Sequence, residues 1–239
     1  MAGRRRGSAA RSALVLLVVL LILGGLVVAA DRVAAHVVED QIGRRLQTQL
    51  GTAAPPVVDI AGFPFLTQAL DGSLHSVRVQ ADALPATEEQ PIPLAAVDLR
   101  LQDVTSGDVF ETFTVTRVDG NATLDYATAQ QLAGMPIRYA PDNRVELTVK
   151  TQVLSTPVTA RVVGLPEIDV TDQTLTLREP EVTVAGVAVP RATAQSLLDN
   201  LLKPVPITGL PDGLRITGVS AQSDGLHATV TGQDMAFSR

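Results

Sequence analysis

Residues 13–30 form an uncharged run of eighteen residues, mostly Leu, Val and Ile, and Arg4, Arg5, Arg6 and Arg11 precede it with no acid among them. As a helix the run reaches roughly 27 Å at ~1.5 Å per residue, close to the hydrocarbon thickness of a bilayer. Positive charge is retained on the cytoplasmic side, so everything from Asp31 onward is expected outside the cytoplasm. Two fates stay open. An uncleaved anchor needs a run of about this length. A signal peptide has a shorter apolar core and a small-residue cleavage site, for which Val28-Ala29-Ala30 would serve. The length favours the anchor. The division expected is therefore a membrane anchor or signal segment over 1–30 and an extracytoplasmic domain over 31–239, released only if the chain is cut near Ala30.

The two parts differ in charge. Residues 1–30 carry +4, which leaves −10 for the remainder of a chain of net charge −6. An acidic domain is a poor nucleic-acid binder, because that affinity comes mainly from neutralising phosphates. The chain has no Cys, which excludes disulfides, thiolate metal sites and lipid attachment through a cysteine. It also has no Trp, and aromatics make up only 3%. Basic residues are almost all Arg, with Lys150 and Lys203 as the two lysines, a bias that resembles coding from a GC-rich genome.

After the apolar run, Val38, Ile42, Leu46 and Leu50 recur every four residues with Val33, Ala34 and Val37 beside them. This spacing predicts a helix over 31–50 that ends at Gly51 and is barred from resuming by Pro55-Pro56. A short strand follows over 57–60. Further on, apolar residues alternate in runs such as Ala95, Val97, Leu99, Leu101 and Val145, Leu147, Val149, the pattern of antiparallel strands with one buried face. Leu74, Val77, Val79 and Ala81 suggest a strand with a slip of register. Asp119-Gly120-Asn121 and Ser223-Asp224-Gly225 read as hairpin turns. Asp125 or Thr128 would cap a short helix through Leu132 that Gly134 and Pro136 stop, and Thr193 would cap another through Leu202. Gly164-Leu165-Pro166-Glu167 and Gly209-Leu210-Pro211-Asp212 are each expected to introduce a strand pair. The simplest arrangement is α+β: a long, curved antiparallel sheet wrapped around the N-terminal helix.

Catalytic chemistry finds little support. His36, His75 and His227 are far apart, and there is no Gly-x-Ser-x-Gly elbow and no phosphate loop before a Lys. His36, Glu39 and Asp40 can be drawn as a metal site, but a solvated helix face explains them better. Asp119, Asn121 and Asp125 lack the closing acid of a calcium loop. No catalytic residue, metal or cofactor is expected, although scattered carboxylates leave an envelope hydrolase as a distant alternative. One segment is unusual. Phe63 and Phe65 flank Pro64, which extends the backbone there, and Leu66 and Leu70 follow. These four apolar residues either line the mouth of a lipid groove or plug the end of the core.

That segment carries a resemblance. Val58, Ile60, Gly62, Phe63, Pro64, Phe65, Leu66, Thr67 and Gln68, then Gly72, Leu74, Val77 and Val79, resemble the actinobacterial LmeA-like family of exported domains. The resemblance implies a tubular lipid-binding fold, attachment to the envelope, phosphoinositide-type ligands and a part in lipomannan elongation. It brings no catalytic residues. The expectation is a cell-envelope phospholipid-binding protein supporting lipoglycan biogenesis, with Phe63, Phe65, Leu66 and Leu70 as the lipid-binding residues. Its partners would be membrane lipid and the inner membrane through residues 13–30, with Arg44, Arg45, Arg138 and Arg144 as local cations. The rival is an accessory partner of a membrane glycosyltransferase.

Overall fold

The computed structural model describes residues 6–87, 92–106, 112–153, 156–190, 204–207 and 210–238. Helix α1, Arg6–Leu50, runs without interruption from the apolar stretch into the domain. The expected boundary at residue 30 therefore falls in mid-helix. Large apolar side chains from Leu16 to Val28 are exposed, in a helix long and apolar enough to cross a membrane. The second half of α1 is different: Ala34, Ala35, Val38, Ile42 and Leu46 pack against Val58, Ile60, Phe65 and Val77. At about 100° per residue these share one face. Val33 and Val37 are turned away from Val38 by roughly 140° and 100° on the same geometry, and both are exposed. Gly51 ends α1 with φ +67°. Gly43 lets the helix approach β1 closely, since a Cβ there would lie 2.6 Å from the Pro56 carbonyl oxygen.

The strands are β1 (Val57–Ala61), β2 (Ser73–Leu84), β3 (Leu94–Ser106), β4 (Thr112–Leu124), β5 (Ile137–Ala140), β6 (Arg144–Val153), β7 (Thr156–Asp169), β8 (Thr174–Val184), β9 (Val187–Ala188), β10 (Val205–Pro206), β11 (Leu214–Gln222) and β12 (Gly225–Ser238). They form two antiparallel sheets and not the single one expected, in the orders β1-β2-β3-β4-β12-β11 and β10-β8-β7-β6-β5, with β9 folded onto β8. The division follows the chain. The second sheet is built from a continuous meander, and β11–β12 returns to pair with β4. Ile168 of β7 packs on Ile216 and Val230 of the first sheet. Gln173, in the β7–β8 turn, stitches the sheets together. Its amide donates to the Ile216 carbonyl at 3.0 Å and accepts from the Ile216 N–H at 2.8 Å, which satisfies backbone groups at the edge strand β11.

Both sheets are bent by residues in the left-handed region inside strands: Ala83, Asp103, Glu179 and Asp234. Beyond each such residue a strand turns the other parity inward, as in Leu101 followed by Val104 in β3. Interruptions of this kind increase local twist and curl. Asp103 lies opposite the step between Leu74 and Val77, which accounts for the slip legible in β2.

Three turn expectations fare differently. Ser223–Asp224 joins β11 to β12, because Gln222 pairs with Gly225. Asp119-Gly120-Asn121 lies in the middle of β4. Gly120 stands there for lack of room, since a Cβ would fall 2.3 Å from the Asp98 carbonyl oxygen. Gly164–Glu167 lies within β7 at a register shift and introduces no strand pair. The β5–β6 hairpin turns instead on the loop Pro141-Asp142-Asn143 between the paired residues Ala140 and Arg144, with Asp142 and Asn143 both at positive φ, a conformation that Asn and Asp tolerate best after Gly. The helix expected over 193–202 lies outside the described residues.

Helix α3, Tyr126–Ala133, follows β4, capped by Asp125 and closed by Gly134 at φ +65°. Asp125 Oδ1 accepts the Thr128 N–H at 2.8 Å, and this donor holds the carboxyl below its ordinary value. Because the folded pKa is depressed, the stabilisation is complete above the unfolded value of roughly 4 and is lost as pH falls through the folded one. Asp125→Ala is expected to cost about 1 kcal/mol at neutral pH and to flatten the acid limb of stability, measured by denaturant melts across pH.

Candidate functional site: the Phe63–Leu70 turn beside the membrane helix

The turn after β1 is held from three sides. Gly62 takes φ +110°, and a Cβ there would strike the Gln68 amide at 2.5 Å. Phe63–Pro64 is a cis peptide. Helix α2, Phe65–Leu70, begins directly after Pro64, where an extended turn was expected. Pro64 has no side-chain acceptor for the free N–H groups of the first turn, so these need a partner from elsewhere. Asp31 of α1 supplies it. Its Oδ2 accepts from the Phe65 N–H at 3.0 Å and its Oδ1 from the Leu66 N–H at 2.9 Å.

Asp31 is only 1% exposed. Burial pushes its pKa up, but the Leu66 N–H, Arg32 and the Phe65 N–H outweigh that and leave it below the ordinary value. Arg32 Nη2 donates both to Asp31 Oδ2 and to the Gly62 carbonyl, each at 2.7 Å. Its guanidinium lies 5.6 Å from the centre of the Phe63 ring, within the range of a cation–π contact. About two helical turns further along, Glu39 accepts the Ile60 N–H at 2.8 Å. Glu39 also meets His36 at 2.9 Å, so this acid serves the backbone of β1. No group of three His, Asp or Glu gathers as a metal site among the described residues. Gln68, buried, accepts the His75 N–H at 3.0 Å and ties α2 to β2.

This framework separates the four apolar residues singled out on the sequence. Phe65 is 3% exposed and belongs to the core with Ala35, Val58, Ile60 and Val77. Phe63 is 59% exposed, Leu66 44% and Leu70 86%. Leu66 and Leu70 are four apart and so share a face of α2. Through Asp31 and Arg32, Phe63 and Leu66 stand level with the end of the apolar run of α1, and Leu70 follows one turn further along α2. Of the expected cations, Arg144 is paired with Glu181 at 2.9 Å. Asp31 escaped the sequence reading. The signal was there: it sits seven residues before Val38, two turns along the same face, and an acid on an apolar face needs donors.

On the opposite face of β1–β3 from α1 lies a polar concavity that includes Asp59, Arg78 and Arg100. No curated protein and no solved structure matches the chain. A model of the LmeA-like phospholipid-binding family, however, matches residues 29–231, from the last residues of the apolar run to the final strand, and the chain belongs to that family.

Proposed function

We propose that the protein is a membrane-tethered phospholipid-binding protein of the cell envelope, without enzymatic activity, that works on the extracytoplasmic side and supports envelope and lipoglycan biogenesis. The observation that carries this reading is the exposure of Phe63, Leu66 and Leu70 on a turn that Asp31 and Arg32 hold against α1 where its apolar stretch ends. Three large apolar side chains in one exposed patch mark a contact surface. A patch beside a membrane helix meets acyl chains or the interface first. Arg4, Arg5, Arg6 and Arg11 ahead of the run support the outward orientation. Membership of a phospholipid-binding family supports the ligand class.

A membrane glycosyltransferase could use the same patch as a docking surface. The level of the patch at the end of the apolar run favours lipid. The test is the full chain purified in detergent, exhaustively exchanged, then extracted with organic solvent and read by mass spectrometry. Stoichiometric phospholipid is expected. A lipid-free chain that also draws no labelled phospholipid from vesicles would contradict the reading.

A further inference from the structure

We propose that the concavity across β1, β2 and β3 binds the polar headgroup of the lipid whose chains meet the Phe63 turn; this rests on the lipid-binding reading above. The concavity measures about 600 Å³. Its lining follows from the register: Asp59 lies opposite Arg78 and Arg78 opposite Arg100, while Ala61 lies opposite Ser76 and Ser76 opposite Gln102. In β1 these positions alternate with Val58 and Ile60, which face α1, so the strand repeat of two turns them to the other side. The lower end of the concavity adjoins the turn. Ala61 leads directly into Gly62 and Phe63, and His75, part of the lining, is bonded to Gln68 of α2. Apolar patch and polar concavity therefore follow one another around a single turn, in the order of an amphiphile's chains and head.

The charges select the class of headgroup. Arg78 and Arg100 stand directly opposite on neighbouring strands, an unfavourable placement for like charges. Arg78 is engaged by Asp98, through Nε to Oδ1 at 2.8 Å and through Nη2 to Oδ2. Across the next ladder Arg100 faces Asp119, but Asp119 is paired with Arg117 at 3.3 Å. Arg100 has neither an ion pair nor a side-chain hydrogen bond among the described residues, so its fork is available to a phosphate. Asp59 and Asp103 line the same space. They would accept hydroxyls and repel a second phosphate. The ligand class is a headgroup with one phosphodiester and neighbouring hydroxyls.

The experiment offers the full chain in detergent an equimolar mixture of phosphatidylglycerol and diacylglycerol, which has the same chains but no phosphate, and reads the retained lipids by mass spectrometry. The native chain is expected to favour phosphatidylglycerol by about tenfold, the scale of one charge-assisted contact. Arg100→Gln, a change at an exposed strand position, is expected to abolish most of that preference and leave the total lipid unchanged. Excess free glycerol phosphate is expected to leave the lipid in place; displacement of the lipid would overturn the proposal in favour of a soluble anion. The same headgroup ratio in both chains would overturn the headgroup site alone. Absence of retained lipid from the native chain would instead remove the lipid-binding reading beneath it.

Discussion

Phe65→Ala is expected to destabilise the domain by about 3–5 kcal/mol, the usual cost of emptying an aromatic site in a packed core. Phe65 is almost fully enclosed by Ala35 of α1, Val58 and Ile60 of β1 and Val77 of β2. It is therefore the side chain through which helix, turn and sheet meet. The site is also badly placed to collapse. The backbone around it is pinned by Asp31 at the Phe65 and Leu66 N–H groups and by Glu39 at Ile60. Denaturant melts of the full chain followed by circular dichroism measure the effect. A loss below about 1 kcal/mol, the range of ordinary surface changes, would mean that Phe65 is not the core anchor described.

The second large effect falls on lipid and leaves stability alone. The triple change Phe63→Ser, Leu66→Ser and Leu70→Ser removes exposed apolar surface that packs on little of the domain. Its effect on melting is expected to be small. If the three side chains are half-buried in lipid, each contributes roughly 1 kcal/mol, and together they weaken phospholipid retention about a hundredfold. Lipid counted by mass spectrometry after detergent exchange reads this directly. Phe65 thus controls the fold and its neighbours control the ligand, although all four lie within eight residues. A triple variant that melts early but keeps its lipid would reverse that division.

Much of this architecture was legible in the sequence because it is periodic. Val38, Ile42 and Leu46 announced the core face of α1, and the alternating strands announced antiparallel sheets. Asp125 and Gly134 marked both ends of α3. What escaped depends on contacts distant along the chain. Asp119-Gly120-Asn121 has the composition of a turn, but the space beside Leu99 decides its role and keeps it in mid-strand. Helix α2 follows a proline and lacks a local cap, so only the arrival of Asp31, 34 residues earlier, explains it. Local pattern also could not tell Phe63 from Phe65. Both flank Pro64, and it is the helix begun at Phe65 that turns one ring into the core and leaves the other outside. The split into two sheets was hidden for the same reason: β12 pairs with β4 across more than a hundred residues.

The absence of tryptophan from the chain allows the central claim to be tested with a single reporter. Phe63→Trp in the full chain, reconstituted into vesicles containing phospholipid brominated at shallow acyl carbons, places an indole at the patch. The expected result is blue-shifted emission and strong quenching by bromine, whereas a Val187→Trp control on the exposed β8–β9 hairpin emits as in water and is not quenched. Water-like, unquenched emission from residue 63 would contradict the claim that this turn meets lipid.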